Sequence, residues 1–185
     1  MKVLLATEKI HINSPNDIRA TPLSWAAKRG RCAEVKLLIE HGANIEPTDR
    51  SGQTPLSLAS LYGHEALVKL LIDNGSNTES RDSSGLTPLS WAIRQGHETV
   101  VKLLAEHGAD LESRSLFGQT PLFWAVWQGH EMVVKLLIDL DVDMKSKDCS
   151  GRTPLSWAVM KGYENIAMLL RRKAAENSVT LMDIT

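Results

Sequence analysis

Cysteine is nearly absent: Cys32 and Cys149 are the only two in 185 residues. Two thiols with no close partner make neither a disulfide framework nor a metal cluster. No charge of one sign dominates either. Twenty-one Lys and Arg stand against twenty-two Asp and Glu, a formal charge of −1, so no global field is available to hold a phosphate backbone and nucleic acid is not an expected partner. No apolar run approaches the about 18–20 residues needed to span a bilayer. The opening Met1-Lys2-Val3-Leu4-Leu5-Ala6-Thr7-Glu8 breaks off too early for a signal peptide. These absences point to an intracellular protein, cytoplasmic first and nuclear second, that does not bind membranes. Also missing are the Gly-x-x-x-x-Gly-Lys-Ser/Thr and Gly-x-Gly-x-x-Gly loops that cradle phosphates and the Gly-x-Ser-x-Gly elbow of a serine nucleophile. No cofactor and no small-molecule substrate are therefore expected. With 43% apolar and 23% charged residues, the chain lies well inside the range of folded proteins.

A strict period is what the sequence has in abundance. Thr-Pro-Leu stands at 21–23, 54–56, 87–89, 120–122 and 153–155, every time 33 residues apart. Gly30, Gly63, Gly96, Gly129 and Gly162 follow each threonine by nine residues. In each unit the threonine is placed to cap a helix and the proline suits its first turn, where a missing N–H costs nothing. Leu56, Leu58 and Ala59 supply a buried side, and Gly63 stops the helix with a left-handed residue. A second helix follows with apolar Leu67, Val68, Leu70, Leu71 and Ile72, and Gly75 closes it. A polar, turn-rich stretch then leads to the next unit. One such helix pair is too small to be stable alone, so neighbouring pairs must stack. The fold class is all-α, a solenoid of helix-turn-helix units joined by short β-hairpin or loop connections. Four units separate the two thiols, well beyond the about 7 Å that a disulfide tolerates.

Asp49-x-x-Gly52-x-Thr54-Pro55-Leu56, Gly63-His64-Glu65 and Leu70-Leu71-x-x-x-Gly75 together resemble the ankyrin repeat over residues 16–173. The family pattern usually has histidine after Thr-Pro-Leu, where this chain has Ser24, Ser57, Ser90, Phe123 and Ser156. That departure removes a hydrogen bond with which the family braces neighbouring turns and leaves its replacement open. The recurring Ser-Trp at 24–25, 90–91 and 156–157, with Trp124 after Phe123, is similar to ankyrin arrays attached to large fungal NTPase receptors of the NLR-like type. That second resemblance implies an alternative function, a regulatory or sensor arm of a larger protein.

The spacing divides the chain into repeats at 16–48, 49–81, 82–114, 115–147 and 148–176. Residues 1–15 read as the tail of a preceding partial repeat, with Lys2-Val3-Leu4-Leu5 as the end of its second helix. One extra residue is expected in the loop before the first full unit, which has Arg19 where the turn glycine belongs. The fifth unit reads as a C-terminal cap whose helix runs past the usual glycine stop, and 177–185 as a frayed tail.

Catalysis brings unlike groups together, whereas here the candidates come as copies. His64, His97 and His130 each follow a helix-ending glycine and precede a glutamate, one per layer, so a structural role is expected. None has a second histidine at the fourth position after it, as a zinc protease site requires. Trp25, Trp91, Trp124 and Trp157 share a slot that accepts Leu58 in the second unit, which marks it as a packing position. The chain is accordingly read as a non-enzyme.

Scaffold positions of a repeat protein recur, and its functional positions vary. The varying columns flank the turn glycine and precede the helix-ending glycine; by the ankyrin resemblance they line a concave groove that grips partners. The second unit contributes Arg81, the third Arg94 and Arg114, and the fourth Leu116, Phe117, Trp127, Gln128 and Lys147. The fifth contributes Arg152, Met160 and Lys161. Large apolar groups bordered by a basic stripe favour a protein partner with an acidic-hydrophobic segment. The expected chain is a monomeric protein-interaction module.

Overall fold

The computed structural model describes residues 12–182. Among them are five helix pairs. α1 (Pro22–Lys28) pairs with α2 (Cys32–Glu40), α3 (Pro55–Leu61) with α4 (Glu65–Asp73), and α5 (Pro88–Gln95) with α6 (Glu98–Glu106). α7 (Pro121–Gln128) pairs with α8 (Glu131–Asp139), and α9 (Pro154–Lys161) with α10 (Glu164–Met182). The segment Lys2 to Leu5, read as part of a preceding helix, lies outside the described residues.

The odd-numbered helices start as their sequence dictates. Thr21, Thr54, Thr87, Thr120 and Thr153 are extended N-caps whose side chains accept the amide three residues on, and proline follows each. Such a cap contributes about 1 kcal/mol. The serine after Thr-Pro-Leu adds a local brace: its hydroxyl lies 3.1–3.2 Å from the capping threonine hydroxyl in the first three units. Even-numbered helices start differently. The N-cap side chains of α2, α4, α6 and α8 make no capping bond, and from α4 onward the first residue is a glutamate, whose charge complements the helix dipole.

Stacking is closer along the first helices of the units than along the second. Ala26, Ala59, Ala92, Ala125 and Ala158 are buried in that row, and their small side chains let successive helices approach. The array therefore bends toward the first-helix face, which becomes its concave side. Each unit also places a ring on its predecessor. His64, His97 and His130 donate from Nε2 to the carbonyls of Lys28, Leu61 and Arg94 at 3.1–3.2 Å. A carbonyl can only accept, so these imidazoles are held with the proton on Nε2. The glycine that ends the preceding helix provides the space: a Cβ on Gly63 would stand 2.6 Å from the His97 ring. Tyr163 takes the same seat on Gly129. The expected structural role of the recurring histidines is thus the role they have here.

Among the described residues the connections contain no strand. They are turns, stitched across units by Ser83 N–H to Ser51 O at 3.0 Å and Leu116 N–H to Ser84 O at 3.1 Å. A second thread runs through carboxylates. Glu46, Glu79 and Glu112 accept the amides of Asn77, Asp110 and Asp143 in the following unit at 2.6–3.2 Å. Each of those residues in turn accepts the amide two positions on. Burial raises the pKa of Glu46, against the lowering effect of the bonds from Asn77 and Ser76. The thread stops at Lys145, which holds the glutamate's place and has no oxygen to accept with.

The extra residue expected before the first unit is not found from Asn13 onward. Asn13 Oδ1 accepts Asn44 N–H at 2.8 Å across 31 positions, the same interval as the three glutamates. Arg19 simply adopts the turn glycine's left-handed conformation, with φ 60°. The frayed tail expected from Asn177 is instead helical as far as Met182, because Ala174 occupies the position where Gly42, Gly75 and Gly108 terminate earlier helices.

Gly63 and Gly75 separate two costs. Both have positive φ, but a Cβ meets the His97 ring only at Gly63. Gly75→Ala should lose about 1 kcal/mol from backbone strain, and Gly63→Ala at least about 2 kcal/mol from strain plus displacement of the ring. Urea denaturation of both variants checks the difference.

Candidate partner-binding face

The tryptophan slot has a hydrogen-bonding rule as well as a packing one. Trp91 Nε1 donates to Asp82 Oδ2 at 3.0 Å and Trp157 Nε1 to Asp148 Oδ2 at 2.9 Å. The same carboxylates hold their own turns through Oδ1, which accepts the amides of Ser84 and Leu86 in one case and Ser150 and Arg152 in the other. One residue thus ties the turn to the first helix. In the fourth unit Ser115 replaces the aspartate, and its Oγ donates to Gln119 Oε1 and accepts from Phe117 N–H. Trp124 Nε1 is left buried without a partner.

Those indoles form the floor of a cationic row. Arg94 lies 5.1 Å from the Trp91 ring centroid and 4.9 Å from that of Trp124. Arg152 sits 4.7 Å over Trp157, and Lys161 Nζ 3.7 Å over Trp127. Arg29 over Trp25, at 4.8 Å, begins the row in the first unit. Between the fourth and fifth units Phe123, Trp127 and Trp157 pack together, with Trp127 and Trp157 edge to face at 4.7 Å. Trp127 is half-buried in this cluster rather than standing free.

The residues proposed from sequence separate into three groups. Arg94, Trp127, Arg152 and Lys161 belong to the cation–aromatic row, with Met160 and Gln128 exposed beside it. Arg81 and Arg114 brace turns: Arg81 Nη1 donates to Arg114 O at 2.7 Å, and Arg114 Nη1 to Lys147 O at 3.1 Å. Arg50, two positions later in its turn, instead donates back to Asp17 O of the turn before. These guanidiniums join adjacent units, while the Lys147 side chain is exposed. Leu116 and Phe117, 73% and 62% exposed, form the tip of the fourth turn, and Leu116 leans over Gly85 of the turn before it. No ring contact joins Phe117 to Trp127, so the expected aromatic patch is two separate features.

Sequence reading passed over Trp91, Trp124 and Trp157 as packing residues, yet they are what holds the cations in place. The available signal was a basic residue one helical turn after a tryptophan, as in Trp91 to Arg94 and Trp25 to Arg29. Charge follows the same division. The five first helices contain no Asp or Glu, while Lys28, Arg94 and Lys161 lie on them. Among the described residues no group of His, Cys, Asp and Glu is arranged to hold a metal ion. No described helix is long and apolar enough to cross a membrane.

Ser115→Asp restores the missing acceptor below Trp124 and should stabilise the fold by about 0.5–1.5 kcal/mol in urea denaturation. Asp148 gives a pH test. Burial acts to raise its pKa, but the bonds from Arg152 N–H, Trp157 and Ser150 and the Arg152 charge together lower it. A carboxylate depressed in the folded state stabilises fully above its unfolded pKa, and that contribution disappears as pH falls through the folded one. Asp148→Asn should therefore flatten the decline of Tm below the ordinary carboxylate range of about pH 4.

None of the curated proteins matches this chain. The family model described as ankyrin repeats, three copies, matches residues 1–82, 35–115, 58–148 and 108–181. Those overlapping matches follow the same succession of capped helix pairs, ring-seated glycines and stitched turns, and the chain belongs to the ankyrin-repeat family.

Proposed function

We propose that this chain is a non-enzymatic protein-interaction module whose first-helix face takes a partner segment rich in both carboxylates and apolar side chains. The observation that supports this reading is the charge of that face. Its helices carry no acidic residue, and Arg94, Arg152 and Lys161 are held against indole rings. A cation already positioned on a ring loses less side-chain freedom on binding than a free lysine. It also keeps donors available for a carboxylate, and like-signed segments are rejected. Leu116 and Phe117 at the turn tip supply an apolar contact beside the row. Arg81, Arg114 and Lys147 border the face, with the two arginines fixing its shape through their carbonyl contacts.

Selection from a display library of random peptides should enrich sequences in which Asp or Glu adjoins Leu, Phe or Trp. Arg94→Glu and Lys161→Glu should each weaken a selected peptide at least about tenfold in fluorescence polarisation, and Phe117→Ala by about tenfold, the loss of roughly 1.4 kcal/mol. Enrichment of basic or uncharged sequences, or unchanged affinity in both charge reversals with folding intact, would defeat the reading.

A further inference from the structure

The first-helix row carries its cations and its rings in alternate units. Of the two residues before each helix-ending glycine, the first unit has Lys28 and Arg29, the third has the cation Arg94 and the fifth the cation Lys161. The second and fourth units have no charge there and one ring each, Tyr62 and Trp127. The even units also supply rings beneath the cations of the odd ones. Lys28 Nζ lies 5.7 Å from the Tyr62 centroid, the Arg94 guanidinium 4.9 Å from that of Trp124, and Lys161 Nζ 3.7 Å from that of Trp127. Among the described residues, none of these four cations is in an ion pair. Each charge is therefore available to a partner.

The interval between the units selects the conformation of that partner. Packed helices lie about 8–10 Å apart, so the row presents charge, ring and charge at roughly that spacing. An extended strand returns to the same face every about 6.6–6.8 Å, and neither that distance nor its double falls in the range. An α-helix returns every about 5.4 Å and fails in the same way. A polyproline II segment returns every third residue, or about 9.3 Å, and stays in step along all five units. Its backbone has no internal hydrogen bonds, which leaves its carbonyls open to donors. Gln95 and Gln128 stand exposed beside Arg94 and Trp127 with amide groups to donate.

Resting on the acidic-apolar reading above, we propose that the occupant of this face is a polyproline II segment in which every third residue meets one unit. Acidic residues stand opposite Lys28 with Arg29, opposite Arg94 and opposite Lys161, and apolar residues stand opposite Tyr62 and Trp127. Charge complementarity then fixes the register, because a slip of one unit sets each carboxylate against a ring. A segment that already holds this conformation loses little freedom on docking.

Fluorescence polarisation with labelled peptides tests the interval. Glu-Pro-Pro-Leu-Pro-Pro-Glu-Pro-Pro-Leu-Pro-Pro-Glu has the same pattern in either chain direction. It should bind at least about tenfold tighter than a peptide of the same composition whose glutamates and leucines alternate at every second position. Glycine in place of every proline keeps the interval, removes the preformed helix and should weaken binding at least about tenfold. A lysine in place of the central glutamate should abolish binding to the wild-type chain. Arg94→Glu should restore it, and Lys161→Glu should not. Equal affinity for the two intervals, or for the proline and glycine peptides, overturns the proposal while leaving an acidic-apolar partner in place. Rescue by Lys161→Glu, or none by Arg94→Glu, overturns the register. Failure of every acidic peptide to bind overturns both readings.

Discussion

The seat formed by a helix-ending glycine and the next unit's ring sets the distance on which every other contact depends. A helix pair of this length buries too little to hold its own shape, so its conformation is stable only when a neighbour covers it. The His97 ring fixes that neighbour at one height: its Nε2 must reach Leu61 O, and its face must clear Gly63. Once the height is fixed, the alanine row can close between first helices. The turns then come within single hydrogen bonds of each other. A side chain at the glycine would push the units apart at their inner edge, where packing is closest, and the loss would spread to both neighbours.

The stitching along the turns solves a different problem. Turn backbones have amides that no helix satisfies, and pairing them across units ties each turn to the next. Glu46, Glu79 and Glu112 satisfy one amide per interface, and the arginines at 50, 81 and 114 satisfy carbonyls. Donor and acceptor therefore alternate along the same edge, which keeps the edge close to neutral. Much of the positive charge in these columns therefore holds the turns together.

How far the sequence could be read depended on whether a contact repeats within a unit or crosses between unlike units. Caps, helix ends and the core columns follow from local chemistry copied at an interval of 33, and all were legible. Asn13 and Arg19 were not, because the first turn replaces two expected residue types with others that adopt the same geometry. The cation–aromatic row was half legible. Arg94 on Trp91 lies within one helix turn, but Lys161 rests on Trp127 of the unit before, and only the stacked structure brings those two together. Trp127 read as an exposed anchor for the same reason: its cover, Trp157, comes from the next unit.

The charge division between the two faces has its origin in how the helices begin. A helix capped by Thr and Pro has its first amides satisfied by a neutral hydroxyl and gains little from an acidic residue, so the first helices have none. The first four second helices begin without a side-chain cap, and all but the first of the five use glutamate at that end. Capping chemistry thus places acids at the starts of the second helices and leaves the first helices free of them, whatever occupies the variable positions. Lysine or arginine arising there meets no compensating carboxylate on its own helix, and the indole slot offers it a ring. A row of first helices without carboxylates follows from two different ways of starting a helix.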